Sequence, residues 1–278
     1  MTGLEIDPRY VAARRVLLDA LGALTPHGKA VIVVGAQAVY LRTGQNDIAI
    51  APYTTDGDLA LDPSLLSDEP ELERSMRDAG FQLLEQPGTW VATQRVGGED
   101  LIVPVDLLVP EAVAPGGRRG ARLETHGNRA ARRAVGLEAA LVDHDTMTIA
   151  ALDVADRRTA AVEVAGVAAL LVAKAHKIHD RVASGRVDRL SDKDAADVYR
   201  IMQTTPAEDV AATLTRLLAD PISGEVTRDA LTYMRELFGR RAGEGVAMAQ
   251  RALRLVVDEA QVATLCVAFT ERILLARG

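Results

Sequence analysis

The chain has 278 residues, 48% of them apolar and 26% charged, which leaves room for one large or two smaller globular domains with buried cores. A net charge of −7 and an aromatic share of 3% argue against a dedicated nucleic-acid binder with a basic surface and base-stacking platforms. A single cysteine, Cys266, excludes an internal disulfide, and no apolar run approaches the roughly 18 residues of a membrane span.

The opening MTGLEIDPRY has no signal-peptide pattern, so a cytoplasmic location is expected. Asp7-Pro8 then starts a helix whose apolar positions (Val11, Val16, Leu17, Leu21, Leu24) recur at helical spacing, until Pro26, His27 and Gly28 break it. Residues 30–34 are apolar and rich in β-branched side chains, which predicts a buried strand. Gly35 follows at once, and residues 36–41 read as a helix. The polar stretch 43–55 reads as a loop, 56–61 as a strand and 68–79 as a helix. Three strands are predicted at 81–85, 89–96 and 101–109, with Gly97-Gly98 turning the last two into a hairpin. Trp90 falls in an alternating strand and is expected in the core. The stretch 115–120 is Gly-rich and predicts a loop, followed by short strands at 147–152 and 160–164.

From Gly166 onward strand signals stop. Helical periods cover 167–182, 191–203, 206–218, 227–238 and 245 to the end. The pattern predicts an α+β chain: a first domain, residues 1–165, with a mixed sheet flanked by helices, and an all-helical second domain, residues 166–278.

Three features of the first domain carry chemistry. Val31-Ile-Val-Val-Gly35-Ala36 is a strand feeding through glycine into a helix, where the backbone can be approached closely and free N–H groups face an anion. In Thr54-Thr55-Asp56-Gly57-Asp58-Leu59, residues i and i+2 of a strand share a face, so Asp56 and Asp58 point the same way. Asp106 stands alone in the apolar run 103–109, where an unpaired buried carboxylate would be costly and a metal or cationic partner would explain it. Three carboxylates on adjacent strands can hold one or two Mg²⁺ ions through oxygen, and two metals clamp a triphosphate for in-line displacement. The plainer alternatives are a surface acid pair for Asp56 and Asp58 and a salt bridge for Asp106.

Gly35-Ala36, Asp56-Gly-Asp58 and Asp106, in that order, resemble the core pattern of the polymerase β-like nucleotidyltransferase superfamily. The later segments Leu170-Leu-Val-Ala-Lys174-Ala-His-Lys-Ile-His-Asp-Arg181 and Leu190-Ser-Asp-Lys193-Asp194-Ala-Ala-Asp197-Val resemble its abortive-infection toxin branch, of AbiEii and MenT type. The resemblance spans roughly residues 28–203 and leaves the last 75 uncovered. It implies Asp56 and Asp58 as metal ligands, Asp106 as the third member of the triad, and Lys174 on the nucleotide phosphates, with Asp194 or Asp197 orienting it. Gly35, Ala36, Thr55, Lys174 and Lys177 form the expected nucleotide-contacting set. It also implies transfer of a nucleoside monophosphate from an NTP, with Mg²⁺, onto RNA such as a transfer RNA end, and an antitoxin as partner. Other branches modify small antibiotics or proteins. Ala36 stands where the family has Ser or Gly, which keeps the backbone donors without a serine hydroxyl.

Read without the resemblance, Lys174, Lys177 and Arg181 lie on one helix face and make a cationic ridge able to meet a triphosphate. Ser191 and Asp194 have capping spacing, and Lys193 and Asp197 that of an in-helix pair, so the two helices also read as a salt-bridged hairpin. His176 and His179 have i, i+3 spacing but no third ligand to make a zinc site. Between Gly116 and Arg133 lie six arginines (118, 119, 122, 129, 132, 133) and one acid, Glu124, a patch able to meet phosphates. Residues 246–257 are amphipathic and expected to close a domain. Three function classes remain open: a nucleotidyltransferase acting on RNA, one acting on a small cationic molecule such as an aminoglycoside, and a non-catalytic nucleotide-binding relative.

Overall fold

The protein is described by a computed structural model that covers residues 6–44, 54–114, 119–185 and 192–275. Most of the expected loop 43–55, part of the Gly-rich loop, and Ser191 lie outside the described residues. The architecture is mixed α/β and the chain divides into two compact units. The first takes in Met1–Leu41, Ala51–Ala134 and His144–Ala165; the second takes in Arg42–Ile50, Val135–Asp143 and Gly166–Gly278.

In the first unit, helix α1 (Pro8–Ala23) starts where Asp7 accepts a hydrogen bond from the Arg9 amide, with Pro8 in the first turn. Strand β1 (Val31–Val34) is buried along its whole length and runs directly into helix α2 (Gly35–Thr43). The other strands are β2 (Gly57–Leu61), β3 (Gln82–Leu83), β4 (Thr89–Val96), β5 (Glu99–Pro110), β6 (Arg132–Ala134), β7 (His144–Ala150) and β8 (Thr159–Ala165). Among the described residues they form one sheet in the order β3-β4-β5-β2-β1-β8-β7, with β6 also on β5. Pairs β1/β2, β3/β4, β4/β5 and β7/β8 are antiparallel, whereas β2/β5, β1/β8 and β5/β6 are parallel. The α1 face supplies much of the core: Val16 and Leu17 are fully buried, and Leu17 lies against Gly57 of β2. Trp90 is also fully buried, its indole N–H donating to the Ala130 carbonyl at 2.9 Å.

The second unit contains the described helices α4 (Val167–Ala183), α5 (Asp192–Thr204), α6 (Ala207–Ala219), α7 (Gly224–Phe238), α8 (Glu244–Leu253) and α9 (Glu259–Leu275), and no strand among its described residues. Its core includes Ile178, Tyr199, Leu217, Phe238, Met248 and Cys266. Burial pushes the Cys266 thiol up to about 12, so it packs as an apolar group.

Three sequence expectations need correction. The helix expected over 68–79 is the shorter α3 (Leu72–Asp78), because Pro70 disfavours helical backbone just before it. The strand expected over 81–85 is only the two residues of β3. The final helix is two, because Asp258 accepts from the Ala260 and Gln261 amides and starts α9 afresh.

Candidate carboxylate site

The site begins with strand geometry. Along β2, Gly57 and Leu59 are buried and Asp58 is half-buried; along β5, Val105 and Leu107 are buried and Asp106 is half-buried. Both aspartates therefore face away from the buried side, as the period of two requires. The parallel pairing sets Asp58 opposite Asp106 in register, and the antiparallel pairing sets Asp58 opposite Val34, the last residue of β1. Asp58 thus stands at the point where β1 hands over to α2.

Gly35 occupies that handover. Its φ is +70°, and a Cβ there would run into Asp58 Oδ2 and lie 2.8 Å from Cγ. Only glycine accepts both the backbone conformation and the neighbour. The Asp58 carboxylate is consequently held beside the first turn of α2, where free amides and the helix dipole favour negative charge. Ala36, 6% exposed, continues that turn.

Asp56 precedes β2 and accepts a hydrogen bond from the Thr54 hydroxyl. Its carbonyl accepts from the Gln37 amide at 2.9 Å, and Gln37 also donates to the Ala13 carbonyl. The Arg14 guanidinium donates to Gln37 at 2.7 Å and to the Ala150 carbonyl at 3.1 Å. Gln37 and Arg14 are almost completely buried, so this network ties α1, α2 and the approach to β2 into one piece. Thr55 is half-buried beside Asp56.

Asp106 has a cationic partner, as the salt-bridge alternative expected, though the sequence did not name which. Arg132 of β6 donates through Nη2 to Asp106 Oδ2, and their side chains are 26% and 21% exposed. Asp106 Oδ1 is shielded from solvent and has no hydrogen-bond partner among the described residues.

Asp56, Asp58 and Asp106 offer hard oxygen donors suited to a divalent cation. Among the described residues, no group of three carboxylate, histidine or cysteine side chains is gathered closely enough to hold a metal ion as it stands. Asp58 and Asp106 stand in register on adjacent strands, one oxygen of Asp106 is taken by Arg132, and the other has no hydrogen-bond partner among the described residues.

No protein-family model and no curated protein matches this chain.

The other expected site residues lie in the second unit. Lys174, 4% exposed, donates to Asp194 and Asp197 at 2.6 Å each. Lys177 stands 3.4 Å from Asp194, and Arg181 is paired with it as well. The expected cationic ridge therefore converges on one buried carboxylate of the neighbouring helix. Burial alone would lower the Lys174 pKa, but Asp194 and then Asp197 reverse this and hold it above the usual lysine value. Burial alone would raise that of Asp194, but Lys174, Lys177 and Arg181 hold it below the carboxylate range. The pairing expected between Lys193 and Asp197 is not the one Asp197 makes; it serves Lys174.

Three of the six arginines of the basic patch are committed, and Arg118 lies outside the described residues. Arg129 donates to the Leu84 and Glu85 carbonyls, Arg132 to Asp106 and Arg133 to Glu111. His176 bonds the Val226 carbonyl at 2.8 Å and His179 stacks on Tyr233, so both histidines pack against α7. Among the described residues no helix is long and apolar enough to cross a membrane.

Proposed function

We propose that the first unit is the catalytic unit of a divalent-cation-dependent nucleotidyltransferase, moving a nucleoside monophosphate from an NTP to RNA, as in a toxin of a toxin–antitoxin pair. What supports this reading most is the placement of Asp58 in register with Asp106, against the glycine that opens α2. Asp56, Asp58 and Asp106 would hold Mg²⁺, which would supply charge neutralisation of the triphosphate and polarisation of the α-phosphoryl group. Gly35 leaves room for the Asp58 carboxylate, and the first amides of α2 orient a phosphate. Asp106, the third carboxylate, would help take the proton of an attacking hydroxyl. The acceptor oxygen then bonds the α-phosphorus as the bond to the bridging oxygen breaks and pyrophosphate leaves.

The experiment is incubation with Mg²⁺, each α-labelled NTP in turn and total RNA, beside Asp58→Asn and Asp106→Asn. Label in RNA with the wild type alone is expected. No label with any NTP overturns the RNA acceptor. A second reading, a small cationic acceptor, is favoured by the internal use of Arg129, Arg132 and Arg133, which removes half of the six arginines from the phosphate-binding patch. Label entering an aminoglycoside and not RNA would establish it.

A further inference from the structure

We propose that the first unit carries a small-molecule site in the cavity beside α1 and β8, and that its ligand is an organic amine: an apolar body ending in a protonated nitrogen held by Glu163. None of Asp56, Asp58 and Asp106 lines this cavity, and the inference does not rest on their role.

The cavity follows from how β8 pairs. On one side β8 pairs with β7 along its whole length, from Thr159 to Ala165. On the other it meets β1 only at Glu163 and Val164, opposite Ile32 and Val33. The chain ahead of β1 is the 3₁₀ turn Thr25–Ala30, so Thr159 to Val162 have no strand partner on that side among the described residues. The sheet is split there, and the space left is about 830 Å³, within the roughly 300–1,000 Å³ of small-molecule sites. Leu18 and Leu21 of α1, Leu24 just after it, Val31 and Val162 give it an apolar wall. Thr25, Gly28 and Lys29 are exposed and stand at its mouth. Every lining residue belongs to the first unit.

Glu163 sets the ligand chemistry. It lines the cavity and is only 9% exposed. Register places it opposite Thr146 of β7, whose hydroxyl donates to Oε1 at 2.8 Å. Oε2 has no hydrogen bond or ion pair among the described residues and, unlike Oδ1 of Asp106, is not sealed from solvent. A carboxylate buried to this degree is costly without a cation beside it. The cavity's own cations do not serve it: Arg158 is committed to Asp156 and Asp19, and Lys29 makes no ion pair with it. A protonated amine supplies the missing charge and donor, and its apolar body covers the leucine wall. An anionic ligand would meet the buried carboxylate with like charge.

The test is the binding of three probes of matched size, 4-phenylbutylamine, 4-phenylbutanol and 4-phenylbutyrate, measured by calorimetry. Wild type, Glu163→Gln and Gly22→Leu are compared, with melting temperatures as the check on folding. Gly22 lines the cavity and a Cβ there meets nothing within 4 Å, so Gly22→Leu occupies the space without a clash. Wild type should bind the amine about tenfold more tightly than the alcohol, the gain of a charge-assisted contact, and the carboxylate more weakly still. Glu163→Gln should weaken the amine by about the same tenfold and leave the alcohol unchanged, which a merely disturbed fold would not do. Gly22→Leu should abolish binding of all three. Should Glu163→Gln fail to fold, the order of the three probes on the wild type decides the same point. No binding of the amine to the wild type, or binding that survives Gly22→Leu, overturns the cavity as the site. Equal affinity for the three probes, or an amine affinity indifferent to Glu163→Gln, overturns the assignment of the ligand as an amine.

Discussion

Replacing Gly35 with alanine tests the geometry on which the carboxylate site stands. Two costs are separable. The backbone at φ +70° must be held with a Cβ, which costs about 1–2 kcal/mol in the left-handed region. The new methyl also meets the Asp58 carboxylate, with Cγ at 2.8 Å and Cβ at 3.0 Å, and overpacking of this kind costs about 1–3 kcal/mol. Gly97, in the β4/β5 turn, is the internal control: its φ is +60°, but a Cβ there meets nothing within 4 Å, so Gly97→Ala carries only the backbone cost. In the Asp58→Ala background the carboxylate is gone and the 3.0 Å neighbour is what remains, so Gly35→Ala should fall close to the Gly97→Ala value. Urea unfolding of the four proteins and the Gly35/Asp58 double variant gives a coupling energy of about 1–3 kcal/mol of relief. If Gly35→Ala costs no more than Gly97→Ala and adds to Asp58→Ala without coupling, the close approach of Asp58 to the helix start is refuted.

Lys174→Met leaves Asp194 and Asp197 buried without their shared cation and should cost about 3–5 kcal/mol in urea unfolding, with part of the loss recovered by adding Asp197→Leu. Because the folded Asp194 pKa is depressed, its contribution is full above the unfolded value of about 3.9 and is lost as pH falls through the folded one; Asp194→Asn should flatten the acid limb of a stability–pH profile. For Lys174, raised in the folded state, the contribution is full below about 10.4 and is lost only at higher pH, which Lys174→Met should abolish. His27 is 2% exposed and lies 5.3 Å from the His126 ring; burial, and then His126, depress its pKa. The unfolded chain therefore binds more protons, and stability should fall as pH drops below about 6.5. Thermal melts of wild type and His27→Gln between neutral and mildly acidic pH measure this; equal slopes would remove His27 as the cause.

What could be read from the sequence was what depends on local pattern. Val31 to Val34 followed by glycine gave away β1 and the start of α2, and Gly97-Gly98 gave away the β4/β5 turn. The alternation around Asp56-Gly57-Asp58 marked the exposed face, because burial of Gly57 and Leu59 is already implied by their type. Pairing of strands distant in sequence was not readable. Nothing in Ala131-Arg132-Arg133 announces a strand, and β6 exists only because β5 continues beyond β4 and offers an unpaired side. Asp106 was therefore recognised as needing a partner, but its partner could not be named. Gln37 was missed for the same reason: its amide matters through the Ala13 and Asp56 carbonyls, which only folding brings together.

The two charge clusters, built from similar residues, differ in a way that bears on function. In the second unit, Lys174 takes both carboxylates and Lys177 and Arg181 add to Asp194, so anion and cation are matched in a dry setting. Such a cluster ties α4 to α5 and leaves little demand for a further ion. In the first unit Asp106 shares one oxygen with Arg132, and its other oxygen is shielded and has no hydrogen-bond partner among the described residues. That open acceptor stands on the strand whose Asp106 is in register with Asp58, so the proposed chemistry is to be tested in the first unit, where a polar group is left to be satisfied, and not in the second, where the buried charges already satisfy one another.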